Sequence, residues 1–404
     1  MKKVALLGVG QQGRTILHDL VRSNVVSAVI AADVDIEGLK ALVNKLPAGK
    51  IRCEKFDAAD EAATSKLLSG ADAAIEVLPP RFCLQTARLA VHSGVHLVNT
   101  MYMVDVGEID PAKRKANEKA VYDLDKKAKE MGVTILPEMG MDPGIDLVLC
   151  AQAVRDFDEV HELYSYGAGF PEFEAADNPL KYKVSWTFDG VLKSYTRPGR
   201  ILKDGRIIEV AADEIFTEKH TSELDLEEFG RFEVFPNGDA VKYAEILGIR
   251  DKVKTMGRFV LRWPGHCAFW EKMAKLGFLN GSPIKVGQDS VIPREFVCSL
   301  LEPQLQYRKN ERDVAIIRVD ARGVKDRQRK RVTYQVVDKR DLVTGFTAMA
   351  RTVGFAASIG AHMILRGEVR KRGVLSPARD VPYEIFVDEL KKRGIHVECS
   401  VSSW

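Results

Sequence analysis

Gly8, Gly10 and Gly13 stand in the spacing Gly-x-Gly-x-x-Gly, directly after the apolar run Lys3-Val4-Ala5-Leu6-Leu7. Arg14-Thr15-Ile16-Leu17-His18-Asp19-Leu20 follows with the periodicity of an amphipathic helix. Strand, glycine turn and helix in that order can hold the pyrophosphate of a dinucleotide. Gly8 permits the tight turn, Gly10 leaves room for phosphate, and Gly13 lets helix and strand approach closely. Gln11 and Gln12 open the helix, whose free N–H groups and positive dipole end face the anion. A second apolar run, Val25 to Ala32, ends at Asp33, 20 residues after Gly13. This puts a carboxylate at a strand tip, where it can accept hydrogen bonds from an adenosine ribose. Asp33-Val34-Asp35 offers two acids and no arginine where a 2′-phosphate would sit, so NAD is favoured over NADP. The bland alternative is a glycine-rich turn with no ligand. Strand, helix and acid acting together argue against it.

These residues need a frame, and the chain supplies alternating strands and helices. Ala71 to Leu78 reads as a buried strand that ends in Pro79-Pro80, and Phe82 to Ser93 as a helix. His96-Leu97-Val98-Asn99 is the next strand, Lys115 to Met131 a long charged helix, and Gly132 to Pro137 a further strand. Such a rhythm implies a doubly wound parallel sheet, which binds ligands outside the carboxyl ends of its strands. Leu78 to Arg81, Asn99 to Tyr102 and Glu138 to Asp146 are therefore the segments to watch. A helix starting at Pro143 would use Asp142 as its N-cap.

After about residue 150 the rhythm changes to β-rich segments separated by turn signals, among them Asp204-Gly205 and Pro236-Asn237-Gly238. Val314 to Val319 and Arg331 to Val337 read as long strands joined by a charged turn. The expectation is an α+β domain with a largely antiparallel sheet. Thr347 to Arg366 is helical and crowded with small residues, and Pro382 to Arg393 is an amphipathic helix.

Bulk properties narrow the class. The 404 residues call for two domains or a domain with a large insertion, and the formal net charge is +3. The basic stretch Lys325 to Arg331 reads as a solvated hairpin turn, so no nucleic-acid partner is expected. No segment approaches the run of about 20 apolar residues that spans a bilayer, so no membrane partner is expected. Six cysteines are scattered without a C-x-x-C pair, which fits reduced thiols in a cytoplasmic enzyme. Gly94 between His92 and His96 argues against a helical metal pair, and no metal is expected.

Several stretches together resemble the saccharopine dehydrogenase family, in its saccharopine reductase and lysine 6-dehydrogenase branch. They are the glycine fingerprint, Asn99-Thr100-Met101-Tyr102, Gly140 to Asp146, Asn178 to Trp186, Pro236 to Asp239, Leu261 to His266 and Met349 to Gly354. The resemblance covers nearly the whole chain. It implies a Rossmann domain over 1–140, an inserted substrate and dimerisation domain over 141–345, and a segment 346–404 that returns to the Rossmann domain. It also implies a homodimer and NAD(P)-dependent oxidation at a C–N bond of an amino acid, followed by hydrolysis of the imine. Gly140 to Asp146 and Asn178 to Trp186 look like the L-glutamate-forming saccharopine enzyme of lysine metabolism. Trp263-Pro264-Gly265-His266 looks more like L-lysine 6-dehydrogenase, and Arg197-Pro198-Gly199-Arg200 departs from the saccharopine pattern. The saccharopine type is favoured narrowly. A carboxynorspermidine-type reductase and a non-catalytic dinucleotide sensor remain as alternatives.

That chemistry suggests roles. Arg262 would bind the substrate carboxylate bidentately, or else form a salt bridge at a strand end. His266 would act as acid and base, or else be a structural histidine. Asp142 would hold the substrate ammonium and take part in catalysis, with helix capping as its bland role. Tyr102 and Asn99 would flank the nicotinamide or its ribose, with Tyr102 a further candidate proton donor. Lys181 and Tyr182 would reach a second carboxylate, solvated surface being the lysine's other reading. Leu78 and Pro79 would line the cofactor cleft.

Overall fold

A computed structural model describes residues 2–46, 49–108 and 110–404. It divides into two compact units, Met1–Ala151 with Ala350–His396, and Gln152–Met349 with Val397–Trp404.

The first unit is a seven-stranded, wholly parallel sheet. Its strands are β1 (Lys2–Leu7), β2 (Val26–Asp33), β3 (Ile51–Lys55), β4 (Ala73–Glu76), β5 (His96–Asn99), β6 (Thr134–Leu136) and, late in the chain, β17 (Gly373–Val374). They lie in the order β17-β6-β5-β4-β1-β2-β3. This is the doubly wound Rossmann arrangement, extended by one strand. Val4 to Leu7 and Ala73 to Ile75 are fully buried, as strands covered on both faces must be. The long helix Pro111–Glu130 starts at Asp110, whose Oδ1 accepts from the Ala112 N–H at 2.8 Å, with Pro111 at the first helical position.

Helix Ala348–Leu365 is long and apolar enough by length and composition to cross a bilayer, but 83% of it is buried as a core helix. Its small residues explain this. A Cβ on Gly354 would press on the Thr15 side chain and the Gln12 carbonyl, and one on Gly360 would press on Met139. The small-residue face therefore serves close packing.

The second unit carries a nine-stranded mixed sheet. Its strands are β7 (Glu159–Pro171), β8 (Gly199–Lys203), β9 (Arg206–Val210), β10 (Ser222–Leu226), β11 (Gly230–Pro236), β12 (Thr255–Arg262), β15 (Asp313–Lys325), β16 (Gln328–Lys339) and β18 (Val397–Ser403). The main order is β10-β11-β12-β7-β15-β16-β18, with β8 and β9 branching from β12. Only β12 and β7 run parallel; every other pair is antiparallel. A small hairpin of β13 (Ile284–Val286) and β14 (Asp289–Val291) stands apart. Within Lys325 to Arg331 the turn itself is Asp326–Arg327, both at positive φ, and Gln328 to Arg331 already belong to β16.

One face of this sheet packs an aromatic core of Tyr182, Phe188, Tyr195, Phe216, Phe235 and Trp270. The other packs Phe170, Phe232 and Trp263 with Val314 and Ile316. One feature departs from the expected organisation. The last strand, β18, does not join the parallel sheet but pairs with β16, so the returning segment ends near His396.

Candidate active site

In the first unit the glycine turn is fixed by backbone contacts. Gly8 has φ +91°, and a Cβ there would lie 2.9 Å from the Val77 carbonyl and 3.3 Å from Leu78 Cδ2. A Cβ on Gly13 would overlap the Gly8 carbonyl. Gly10, by contrast, has nothing within 4 Å of its Cβ position. The turn is closed where the helix meets the strand and open where a phosphate must approach. Helix Gln11–Arg22 begins at Gly10 with no side-chain cap, leaving the N–H groups of Gln11 and Gln12 to an anion. The Asp33 carboxylate holds this turn in shape: Oδ2 accepts from the Val9 N–H at 2.6 Å and Oδ1 from the Asp35 N–H at 2.9 Å. Asp35 in turn caps the next helix through the Gly38 N–H. These residues fit a dinucleotide. Leu78 and Pro79 follow β4 beside Gly8.

Two further loops leave the carboxyl ends of β5 and β6. Asn99 is buried, and its side chain serves its own loop: Oδ1 accepts from the Met101 N–H at 3.2 Å, and Nδ2 lies 3.5 Å from Met103 Sδ. The Asn99 and Met101 carbonyls accept from the Met139 and Glu138 N–H groups at 2.8 and 3.2 Å, tying this loop to the next. Tyr102 is buried in the same loop. The segment Gly140 to Gly144 folds on itself, the Gly140 N–H donating to the Pro143 carbonyl at 3.0 Å, around a cis Asp142–Pro143 bond. A Cβ on Gly140 would sit 3.2 Å from the Thr100 carbonyl, so the loops bearing Tyr102 and Asp142 are neighbours. The helix starts at Ile145, not at Pro143, because this turn comes first. Asp142 is therefore not its N-cap. Asp146 instead accepts from the Gly144 N–H at 2.8 Å.

One buried acid in this unit was not foreseen. Glu76 ends β4, is 1% exposed, and neither carboxylate oxygen has a hydrogen-bond partner. Burial pushes its pKa up to about 8, outweighing the nearby Cys83 thiol and Asn99 amide.

In the second unit, Arg262 ends β12 on the aromatic face and is buried. Its Nη1 donates to the Leu261 carbonyl at 2.9 Å, its guanidinium lies 5.3 Å from the Tyr182 ring centroid, and its Nε has no partner. Among the described residues no carboxylate forms an ion pair with it. Burial works against its charge, but the facing hydroxyls of Tyr195, Tyr182 and Tyr307 outweigh it and hold the pKa above the ordinary arginine value. The expected salt bridge at a strand end is absent among the described residues.

His266 follows after Pro264 and Gly265, the latter at φ +100°, as the first residue of helix His266–Lys275. Glu233 caps that helix start, accepting from the Gly265 and Cys267 N–H groups at 2.9 and 2.7 Å. The imidazole is enclosed. It stacks on Phe235, 6.0 Å between centroids, and its Nε2 pairs with the Tyr195 hydroxyl at 2.9 Å. Burial and the Arg262 charge hold its pKa well below the ordinary histidine value. The ring is therefore held neutral among aromatic side chains beside Arg262.

Lys181 is exposed at φ +47°, whereas Tyr182 is buried against Arg262. Its neighbour Lys183, not foreseen, is the buried lysine, paired with Asp177 at 2.9 Å and Glu311 at 2.7 Å. Three more polar atoms on this side lack partners: the Tyr307 hydroxyl, Ser185 Oγ and Trp270 Nε1. Ser185 Oγ lies 3.6 Å from the Cβ position of Gly169 on β7, the strand beside β12. Four buried donor atoms of this unit (these three and Arg262 Nε) thus have no acceptor among the described residues.

Comparison with known proteins agrees with this reading of the fold. Residues 4–136 match the saccharopine dehydrogenase NADP binding domain and residues 140–395 the saccharopine dehydrogenase C-terminal domain. The chain is 26% identical to mitochondrial alpha-aminoadipic semialdehyde synthase of Bos taurus over 98% of its own length and 47% of that protein's. It thus spans about half the length of this relative. It is 25% identical to saccharopine dehydrogenase [NADP(+), L-glutamate-forming] of Saccharomyces cerevisiae, covering 98% of each chain. The solved structure of apo saccharopine dehydrogenase (L-Glu forming) from Saccharomyces cerevisiae superposes with a TM-score of 0.83 at 22% identity, covering 100% of both chains. A glycine turn open at Gly10, a Rossmann sheet, and family models spanning nearly the whole chain place this protein in the saccharopine dehydrogenase family.

Proposed function

We propose that the protein is a nicotinamide-dinucleotide-dependent oxidoreductase that acts on the C–N bond of an amino acid. The substrate we assign is saccharopine, with release of L-glutamate. The observation that carries this reading is the buried Arg262 guanidinium, which faces hydroxyls and lacks a carboxylate of its own. A buried unpaired cation is unfavourable unless a ligand supplies the counter-ion. A substrate carboxylate supplies it, with the Tyr307 hydroxyl as a second donor. Full-length likeness to an L-glutamate-forming relative favours saccharopine over lysine. With its imidazole neutral and enclosed, we assign His266 a structural part, which leaves its motif no catalytic argument for lysine 6-dehydrogenase.

When bound, the cofactor accepts or returns a hydride at the carbon bonded to nitrogen. The glycine turn holds its pyrophosphate, with Leu78 and Pro79 beside it. Asp33 bonds the ribose with the lone pairs left by Val9 and Asp35. Two carboxylates at the tip of β2 repel a 2′-phosphate, so we assign NAD as the preferred form, although the Saccharomyces cerevisiae relative is named for NADP(+). The substrate amine must be neutral before its carbon is oxidised, and water must then add to the imine. Asp142, at the tip of its loop, receives the ammonium and its proton. Tyr102, in the neighbouring loop, donates a proton to the departing nitrogen.

The test is formation of the reduced cofactor by purified protein, with saccharopine and L-lysine offered separately, each with NAD and with NADP. Turnover of saccharopine with NAD is the expected result. Turnover of lysine alone would overturn the substrate assignment, and a preference for NADP would overturn the reading of the β2 tip.

A further inference from the structure

Asn178 folds the chain that carries Tyr182 and Lys183. Its Oδ1 accepts from the Leu180 N–H at 3.0 Å, its Nδ2 donates to the Tyr182 carbonyl at 2.8 Å, and Lys181 turns at positive φ between them. Lys181 thereby goes to solvent, whereas Tyr182 lies against Arg262 and Lys183 is buried. The Lys183 ammonium reaches Asp177, just ahead of this motif, and Glu311, 128 residues further on. Glu311 belongs to the loop between Leu305 and β15. The carboxylate oxygen that meets Lys183 also accepts from the Arg308 N–H at 2.7 Å. The Arg308 guanidinium pairs with Asp177 at 2.9 Å and with Glu311 at 3.4 Å, which closes a ring of four charges. At the other end of the loop, the Val184 N–H donates to the Leu305 carbonyl at 2.8 Å. Tyr307 stands between these two ties. Its hydroxyl is buried without a hydrogen-bond partner and faces Arg262 and Tyr182.

A buried ion pair is a poor source of stability, and an apolar side chain of similar volume often fills such a place as well. What Lys183 supplies is placement. Gln306 and Arg308, on either side of Tyr307, are exposed, and nothing bonds the Tyr307 hydroxyl itself. We propose that Lys183 is a positioning residue for the reaction. By holding Glu311 it seats loop 306–311 so that the Tyr307 hydroxyl stands beside Arg262, where both donate to the substrate carboxylate. Lys183 acts through Tyr307 and does not itself bind the substrate. This role rests on the assignment of Arg262 to that carboxylate, and it supplies the device that keeps the second donor in place. Arg340 Nη1 also donates to the Arg308 and Glu311 carbonyls, at 3.1 and 3.0 Å. The loop therefore stays attached when Lys183 is lost, and only its seating changes.

Hydrogen exchange of the full chain, without substrate, reads the seating directly. In Lys183→Met the Arg308 and Glu311 amides should exchange about tenfold faster than in the wild type, while β15 stays protected. Kinetics with saccharopine at saturating dinucleotide read the consequence. Tyr307→Phe should raise KM about tenfold, the worth of one hydrogen bond to a charged group, and leave kcat nearly unchanged. Lys183→Met should raise KM by a similar factor. In the Tyr307→Phe background it should add less than about twofold, because its effect passes through that hydroxyl. Glu311→Gln keeps the side chain's shape and loosens the same clamp from the loop side, so it should follow Lys183→Met at smaller size even if that variant folds poorly. A purely structural lysine would lower the melting temperature with no such dependence on Tyr307. Unchanged exchange in Lys183→Met, or KM effects of Lys183→Met and Tyr307→Phe that multiply, would overturn the role of Lys183 and leave Arg262 its carboxylate. A KM unmoved by Tyr307→Phe would instead remove Tyr307 from the substrate site, and Lys183 with it. Absence of saccharopine turnover would overturn the substrate, and the exchange rates would still decide whether Lys183 seats the loop.

Discussion

The glycine turn of the first unit is built from backbone, whereas the arginine pocket of the second is built from side chains. In the turn, Gly8 and Gly13 are required because any Cβ would meet a carbonyl, and the anion is met by helix N–H groups. In the pocket, Arg262, Tyr182, Tyr195 and Tyr307 converge from separate segments, and the backbone does little beyond carrying them. A backbone site tolerates no substitution at its contact points. A side-chain site can lose one donor and keep its fold.

Substitutions can break or sharpen that contrast. Gly13→Ala should have the largest effect, a loss of both fold stability and dinucleotide binding. Overpacking against the Gly8 carbonyl costs about 1–3 kcal/mol or more. Gly10→Ala sharpens the point: melting without nucleotide should be unchanged while dinucleotide affinity falls, as read by calorimetry. Arg262→Ala should raise KM for the amino acid about a hundredfold, since hydrogen bonds to a charged group contribute roughly 1.5–3 kcal/mol each. Dinucleotide affinity should not move. Arg262→Ala should also melt no lower than the wild type, because it removes a buried charge that has no counter-ion. A large drop in melting temperature would instead mark Arg262 as structural.

Glu76 gives a pH test confined to the first unit. Its carboxyl titrates near 4.5 unfolded and near 8 folded. Across that window the folded state holds a proton that the unfolded chain has released, so stability falls as pH rises and the loss is complete above about 8. Glu76→Gln should flatten this slope, melting several degrees above wild type at about pH 9 and close to it at about pH 5. Parallel curves would show that Glu76 does not titrate in this way. The smallest effect is expected from His266→Gln, with kcat reduced less than about tenfold, against the 10²–10⁴ that general acid–base catalysis contributes.

The contrast also explains what could be read from the sequence. Gly8, Gly10, Gly13 and Asp33 were legible because a backbone constraint fixes both residue type and spacing. The doubly wound parallel sheet of the first unit followed from the βαβ rhythm, for which few topologies exist. The arginine pocket was only half visible. Arg262 and Tyr182 came from a resemblance, but Tyr307, Ser185 and Lys183 carry no local signal that marks them as buried donors. Lys181 and Lys183 are chemically alike in sequence, and only the fold buries one and exposes the other. Asp142 before Pro143 reads as a cap in one dimension, yet the Gly140–Pro143 turn delays the helix to Ile145. His266 looked reactive by type, and its enclosure by Phe235, Tyr195 and Trp270 depends on long-range packing.

The placement of β17 and β18 has a consequence for how the chain is made. Each unit takes its closing strand from beyond residue 370: Gly373–Val374 completes the parallel sheet and Val397–Ser403 the mixed one. During vectorial synthesis the parallel sheet therefore cannot close before residue 374 has emerged, nor the mixed sheet before residue 403. Until then β6 and β16 present naked edges to the crowded cell. Nascent chains stalled before residue 373 should be strong clients for holdase chaperones, and maturation should proceed as a late, nearly concerted event rather than one domain after the other.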